Sequence, residues 1–333
     1  MATIREVARL AGVAPSTVSE VLNNSARARV GTQAQQRVRE AAAALGYRPN
    51  TLARGLSSGR TQTIGLFVAG LRNPFFVELA ESLESAIREA GYQALLEAVP
   101  SSRGSFSEHG RLSRWPVDGV VMWARPGQTV ADVLGEAMAD VPVVYVCGEA
   151  REGDGVLWFD LEQGATQAAE LVIGRGFSRI AHLVPYPTFS EGDLEPRSRA
   201  FHRVCREAGV ELQTLVALRR EETIEAGWLT GQELAGVPAP NRPQAVLCHN
   251  DVLAIGLIAG LRRGGLRVPE DVSVVGCDGI EEGHFLECSL TTIEVPTQEL
   301  GRRAFEMLLR QLEEGVPQPS SVLPTRLRLG ETA

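Results

Sequence analysis

Thr3–Leu22, reading TIREVARLAGVAPSTVSEVL, is the stretch that decides how the front of this chain folds. Thr3 with Glu6 three residues on is a capping box, in which a hydroxyl and a carboxylate satisfy backbone N–H groups that a starting helix leaves open. Ile4, Val7, Ala8 and Ala11 then recur at helical spacing and give that helix one apolar side. Gly12 allows a sharp turn, since glycine takes left-handed backbone angles at little cost. Pro15 suits the first turn of a second helix, where an N–H would have had no partner. In that helix Val18, Val21 and Leu22 face inward, leaving Pro15, Ser16, Ser19, Glu20 and Asn23 outward. Two short helices on a shared core, with a polar outer face on the second, have the shape that enters a DNA major groove. Periodicity alone fits any small helical hairpin equally well.

Past this hairpin, NNSARARVG (residues 23–31) reads as a polar, arginine-bearing loop. A third helix is expected over Thr32–Leu45, with Val38, Ala41, Ala42 and Leu45 on one side. Gly46 is a C-cap glycine, and Pro49 forbids the helix from running on. Asn50 can cap a further short helix, TLARGL, before SSGRT opens into a linker. About two turns are too few to be stable alone, and Gly55 costs about 1 kcal/mol relative to alanine. That segment is expected to order only when something holds it.

Charge separates this front end from the rest. Residues 1–60 carry nine arginines against three glutamates, a net +6, while the whole chain stands at −8 and the remainder therefore at −14. A basic head on an acidic body points to a polyanion partner for the head alone. All 33 basic residues are arginine, which excludes a P-loop lysine, a Schiff-base lysine and a kinase lysine together. The five cysteines, Cys147, Cys205, Cys248, Cys277 and Cys288, form no CxxC pair and read as buried thiols of a reducing compartment. Without an apolar signal core or a membrane-length apolar run, a cytoplasmic location is expected.

From Thr63 the pattern changes to short apolar runs: TIGLFV, YQALLEAV, DGVVMW, VPVVYV, SRIAHLV, QAVLCH, VSVVGC and LTTI. Helix-length segments such as PFFVELAESLESAIREAG and LEQGATQAAELVIGRG lie between them. Alternating strands and helices mean parallel sheets covered by helices, and this length of chain calls for two α/β lobes. The expected organisation is an all-α helix-turn-helix domain (1–48), a hinge helix and linker (49–61), and a two-lobed body (62–333). The first lobe takes about 62–162 and 292–322, and the second about 163–291 and 323–333. In such folds a ligand sits past the carboxyl ends of the strands, here the cleft between lobes.

In their order along the chain, TIREVARLAGVAPSTVSEVLN, LGYRPNTLARGL, NPFF, VDGVV, RSRAF, AGVELQ, HNDVLAIG, EDVSVVGCDG and LTTIEVP resemble the LacI/GalR (lactose-repressor) family of bacterial transcription regulators over essentially the full length. The resemblance implies a helix-turn-helix head, a hinge helix and a body like periplasmic sugar-binding proteins. It also implies a homodimer on pseudo-palindromic double-stranded operator DNA, because one head reads half of a two-fold site. Family tetramers add a C-terminal leucine heptad helix; LPTRLRLGETA carries no heptads, so a dimer is expected.

By the same resemblance, Pro15, Ser16 and Glu20 stand where operator-selecting residues sit, with Asn23 beside them on the outward face. Glu20 departs from the arginine common there and, as an acceptor, would suit a cytosine amino group; the alternative is that it points at solvent. Thr17, Ser19, Tyr47 and Asn50 are expected at phosphates, which position without specifying, and Arg29 is expected at the DNA. Leu56 looks like the family's leucine wedge, which kinks the minor groove, with Ala53 and Arg54 along that groove. For the effector, the resemblance implies Phe75, Phe76, Asp160, Arg197, Asn250 and Asp278. An arginine and carboxylates can bracket hydroxyls while an aromatic face packs on a sugar ring or base. Alternatives are core packing for one phenylalanine and helix capping for Asp160; Trp123, Trp158 and Trp228 are expected as packing.

Enzyme signals fail on context. GLSSG at 55–59 has the nucleophile-elbow spacing, but with a helix before it and a strand after, the reverse of what that elbow needs. The five histidines lack metal spacing, and GRG at 174–176 ends a helix instead of opening one. The reading is therefore a repressor, not an enzyme, with no metal and no cofactor. Its DNA affinity would be set by a small molecule of sugar or nucleoside/purine type, with no membrane partner. The competing readings are a solute-binding protein without DNA function and a regulator controlled by a protein co-regulator.

Overall fold

The computed structural model describes residues 2–22, 30–47, 60–98, 116–123, 140–147, 155–185, 195–218 and 222–333. They fall into two compact units, Met1–Thr61 and Gln62–Ala333. The first unit contains α1 (Ile4–Ala11), α2 (Pro15–Leu22) and α3 (Thr32–Ala44). The capping box is formed: Thr3 N–H donates to Glu6 Oε2 at 2.7 Å, and Glu6 N–H donates to Thr3 Oγ1 at 3.4 Å. Gly12 closes α1 in the left-handed region, with φ 65° and ψ 41°. Val7, Ala8, Ala11, Val18, Val21, Val38, Ala41 and Ala42 make the core the three helices share. Arg37 Nε donates to the Ala11 carbonyl at 3.1 Å. One arginine of the basic head thus satisfies an open carbonyl at the end of α1.

The second unit is built on two six-stranded sheets. The first has the order β11 (Ser321–Pro324), β5 (Gly155–Asp160), β4 (Val143–Val146), β3 (Gly119–Trp123), β1 (Thr63–Val68), β2 (Gln93–Ala98), with all neighbours parallel. The second has the order β12 (Arg326–Arg328), β10 (Thr291–Glu294), β9 (Ser273–Asp278), β8 (Ala245–Cys248), β6 (Arg179–Val184), β7 (Glu211–Val216). It is parallel except for the β10–β12 pair.

Ile64, Leu66, Val121, Val144 and Leu157 lie on one face of the first sheet, beneath α4 (Pro74–Glu89) and α10 (Thr297–Glu314). The second sheet is covered on both faces. Ala181, Leu183, Val246 and Val274 pack with α7 (Ile224–Ala235) and α8 (Asp251–Arg263). Ile180, Ala245, Leu247 and Val275 pack with α5 (Leu161–Gly174) and α6 (Pro196–Glu207). The short α9 (Glu281–His284) follows β9.

Sheet membership moves two lobe boundaries. β10 belongs to the second sheet, so the chain returns to the first lobe after Glu294 and not near 292. β11 belongs to the first sheet, so the last crossing falls between Pro324 and Arg326 and not at 322. Both placements cut through four-residue strands, β10 and β11.

The two helices α7 and α8 approach until glycine meets backbone. A Cβ added to Gly256 would lie 2.1 Å from the Ile224 carbonyl oxygen, whereas one on Gly174 would meet nothing within 4 Å. Gly256→Ala is expected to cost about 1–3 kcal/mol in urea unfolding, the usual penalty of overpacking. Gly174→Ala should stay within about 0.5 kcal/mol. Equal midpoints for the two variants would show that the helices re-space freely.

Candidate functional site

On α2, Pro15, Ser16 and Glu20 are exposed, while Thr17 and Ser19 are partly buried. The face expected to read bases is therefore open. Tyr47 packs partly against the three-helix core, and its N–H donates to the Ala42 carbonyl at 2.9 Å, closing the end of α3. The residue aimed at phosphate by resemblance is thus anchored by its own unit. Asn23, Arg29, Asn50, Ala53, Arg54 and Leu56 lie outside the described residues, and with them the hinge helix.

The first lobe brings aromatic rings to the carboxyl ends of its strands. Asn73 caps α4 through Oδ1, which accepts from Phe75 N–H at 3.1 Å. That cap aims Phe75 and Phe76 at Trp123, the last residue of β3, with ring centroids 5.4 and 4.9 Å away, both edge-on. Phe159, near the end of β5, stands 5.9 Å from Trp123 and 6.2 Å from Phe75. Phe75 is buried and Phe76 only partly. Trp123, expected as packing, is partly buried and belongs to this cluster; Phe159 was not foreseen at all.

The second lobe answers with ionic groups. Arg197, at the start of α6, forms a two-pronged pair with Glu195: Nε donates to Oε1 at 2.7 Å and a terminal nitrogen donates to Oε2 at 2.8 Å. Its other terminal nitrogen donates to the His249 carbonyl. Burial pushes the Glu195 carboxyl up, but Arg197 and His249 outweigh it and hold it at about 2. Asn250 caps α8, its Oδ1 accepting from Leu253 N–H at 2.9 Å, and its Nδ2 donates to Glu222 at 3.3 Å. Asp160 caps α5, its Oδ1 accepting from Glu162 and Gln163 N–H at 3.1 and 3.2 Å.

The lobes meet where Asn73 Nδ2 donates to Asp278 Oδ2 at 2.9 Å. Asp278 ends β9 with φ 131°, a backbone region side chains rarely adopt. The structure thus brings Phe75, Phe76, Arg197, Asn250 and Asp278 to facing strand ends or adjoining helix starts, with Asp160 at a crossing between lobes. Asn73 was legible as a cap before Pro74. Glu195 carried no local signal, because its meaning depends on where Arg197 and His249 fold. Among the described residues no His/Cys/Asp/Glu group is arranged to hold a metal, and no helix is long and apolar enough to cross a membrane.

Residues 3–50 match the family model described as bacterial regulatory proteins, lacI family, and residues 169–333 match a periplasmic binding protein-like domain. The HTH-type transcriptional repressor PurR of Vibrio cholerae serotype O1 (strain M66-2) is 34% identical over 322 residues, covering 94% of this chain and 92% of its own. This chain belongs to the LacI family. Another such relative, PurR of Vibrio vulnificus (strain CMCP6), is 33% identical over 94% of this chain and 93% of its own. A solved lac repressor dimer, bound to operator and the anti-inducer ONPF, shares the LacI-family fold with a TM-score of 0.82 at 22% identity, covering 99% of this chain and 98% of that one. The transcriptional regulator CelR, solved with cellobiose, has a TM-score of 0.68 at 28% identity over the whole of both chains.

Asp278 and its neighbour Asp251 give this LacI-family site a pH signature. Burial, then repulsion from Asp251, pushes the Asp278 carboxyl well above its usual 3.8, and burial also raises Asp251. Carboxyls raised on folding hold more protons folded than unfolded, so stability falls as pH climbs past 3.8 towards the folded values. Asp278→Asn keeps an oxygen for Asn73 and removes one charge. Its unfolding free energy should therefore drop less than wild type between about pH 4 and 6. Identical slopes in urea titrations would sink the assignment.

Proposed function

We propose that this chain is a transcriptional repressor whose grip on a pseudo-palindromic operator is controlled by a small molecule held between its two lobes. It works as a homodimer in the cytoplasm, does not catalyse a reaction, and takes a sugar or a nucleoside or purine as effector. The observation that carries this reading is one chain joining an open, capped helix-turn-helix to a cleft lined by aromatic rings and hydrogen-bonding side chains. The PurR relatives are repressors, and the lac repressor neighbour was solved as a dimer on its operator, which supports the DNA role.

Pro15, Ser16, Glu20 and Asn23 face base edges, while Thr17, Ser19, Arg29, Tyr47 and Asn50 hold phosphates. Leu56 enters the minor groove with Ala53 and Arg54 alongside. In the cleft, Phe75 and Phe76 cover an apolar ring face, and Asp160, Asn250 and Asp278 set the polar contacts, with Arg197 acting through the acid it holds beside it. Effector binding changes lobe closure and so the spacing of two hinge segments. Coupling of this kind is typically about 1–3 kcal/mol and is reciprocal, so operator changes effector affinity by the same factor.

Selection of the purified protein on random duplexes tests the reading. A palindrome should be enriched, and its affinity should fall roughly a thousandfold between about 50 and 200 mM salt if six or more phosphates are neutralised. Glu20→Arg should change the preferred base at one position in each half-site, with guanine the natural gain. If no palindrome is enriched, with or without metabolites, the chain is a solute-binding protein instead.

A further inference from the structure

Building on the cleft reading above, we propose that the effector is an uncharged, hydroxyl- or amino-bearing molecule, that phosphorylated and carboxylated analogues are rejected, and that Glu195 makes this choice. A lone arginine in a cleft ordinarily invites an anion, because its planar fork matches phosphate and carboxylate. Here the fork is already filled. Glu195 takes two of its N–H donors, and the His249 carbonyl takes a third. The Arg197 side chain is 6% exposed, against 35% for Glu195, so the group an incoming molecule meets is the carboxylate.

Glu195 also acts across the cleft. Its charge helps to raise the thiol of Cys147, at the end of β4 in the first lobe, after burial of that thiol. It remains ionised at ordinary pH, because burial is outweighed above all by the charge and hydrogen bonds of Arg197, which hold it at about 2. Beside it the second lobe adds another acid, Glu222, which accepts from Asn250 at 3.3 Å. His249 contributes no compensating charge: burial, then Arg197, lowers its pKa and keeps the ring neutral. With this buried guanidinium cancelled, the wall offers acceptors to hydroxyl or amino donors and repels a second anion. Like charges placed together across an interface oppose binding.

The test uses the full-length protein and thermal unfolding. Wild type is screened with matched pairs (ribose and ribose 5-phosphate, adenosine and AMP, glucose and glucose 6-phosphate) and with inorganic phosphate. Neutral members should be the ones that stabilise, their phosphorylated partners binding roughly tenfold or more weakly. Glu195→Gln frees the guanidinium, so inorganic phosphate should now raise its Tm while leaving wild type unmoved, and adding Arg197→Met should abolish that gain. The proposal is overturned if phosphate, or any phosphorylated member, stabilises wild type more than its neutral counterpart, or if a folded Glu195→Gln gains nothing from phosphate. Should Glu195→Gln not fold, the wild-type comparison with phosphate and ribose 5-phosphate decides alone. An operator selection without a palindrome would remove the regulator reading and leave the phosphate result of Glu195→Gln standing, so the two failures are distinct.

Discussion

A carboxylate with no exposed surface, Asp251, ties together the parts of the second lobe that face its neighbour. Its Oδ2 accepts from the N–H groups of Gly279 and Ile280 at 2.8 and 2.9 Å, and its Oδ1 accepts from Thr292 Oγ1 at 2.5 Å. The start of α8, the turn after β9 and the strand β10 are thereby fixed to one side chain. Asp278 owes its strained backbone, and its reach to Asn73, to that turn. One side chain thus answers three donors from two separate stretches of chain, which fixes the geometry of this corner. Removing its acceptors alone would strand three donors in a dry interior.

The cleft has two unlike walls made by one device. Asn73, Asp160, Glu195 and Asn250 all stand at helix N-caps, because a strand that ends at the cleft hands the chain to a helix starting there. Capping and ligand contact are therefore not rival explanations for these residues. At Asn73, Asp160 and Asn250 the cap holds one side-chain oxygen against the helix start, which sets the direction of the rest of the group. The Glu195 carboxylate instead leaves the helix start uncapped and turns to Arg197. After Asn73 the chain presents two rings, while Glu195 is itself the acid that pairs with Arg197 two residues on. In the proposed reading, shape comes from the first wall and charge selection from the second.

Much of this was legible beforehand because the relevant signals are local. The capping box at Thr3, the turn at Gly12 and the apolar runs TIGLFV, SRIAHLV and VSVVGC correspond to α1, its C-cap, β1, β6 and β9. Four strands were not read. β7, ELQTLV, is an edge strand with half its residues exposed, so it lacks a continuous apolar run. β5 starts on glycine, and β11 and β12 are only four and three residues long. The site divides the same way. Asn73, Phe75 and Asn250 sit beside recognisable helix starts, whereas the Arg197–His249 contact spans 52 positions and leaves no pattern in either neighbourhood. The Glu195–Arg197 pairing spans only two positions, but an acid two residues before an arginine carries no recognisable signal until the helix start folds the two side chains together.

Among the described residues the backbone passes between the lobes three times: after Asp160, between Glu294 and Thr297, and at Thr325. Thr325 Oγ1 donates to the Asp160 carbonyl at 2.5 Å and accepts from Gly164 N–H at 3.2 Å, binding the first passage to the last. Neither lobe is consequently a continuous segment of chain. A single proteolytic nick cannot release either one whole: a cut at Asp160 leaves α10 and β11 on the wrong fragment, and one at Glu294 leaves β12 there. The two halves are inherited as one piece, and gene fragments that swap a lobe between relatives must exchange at three junctions together.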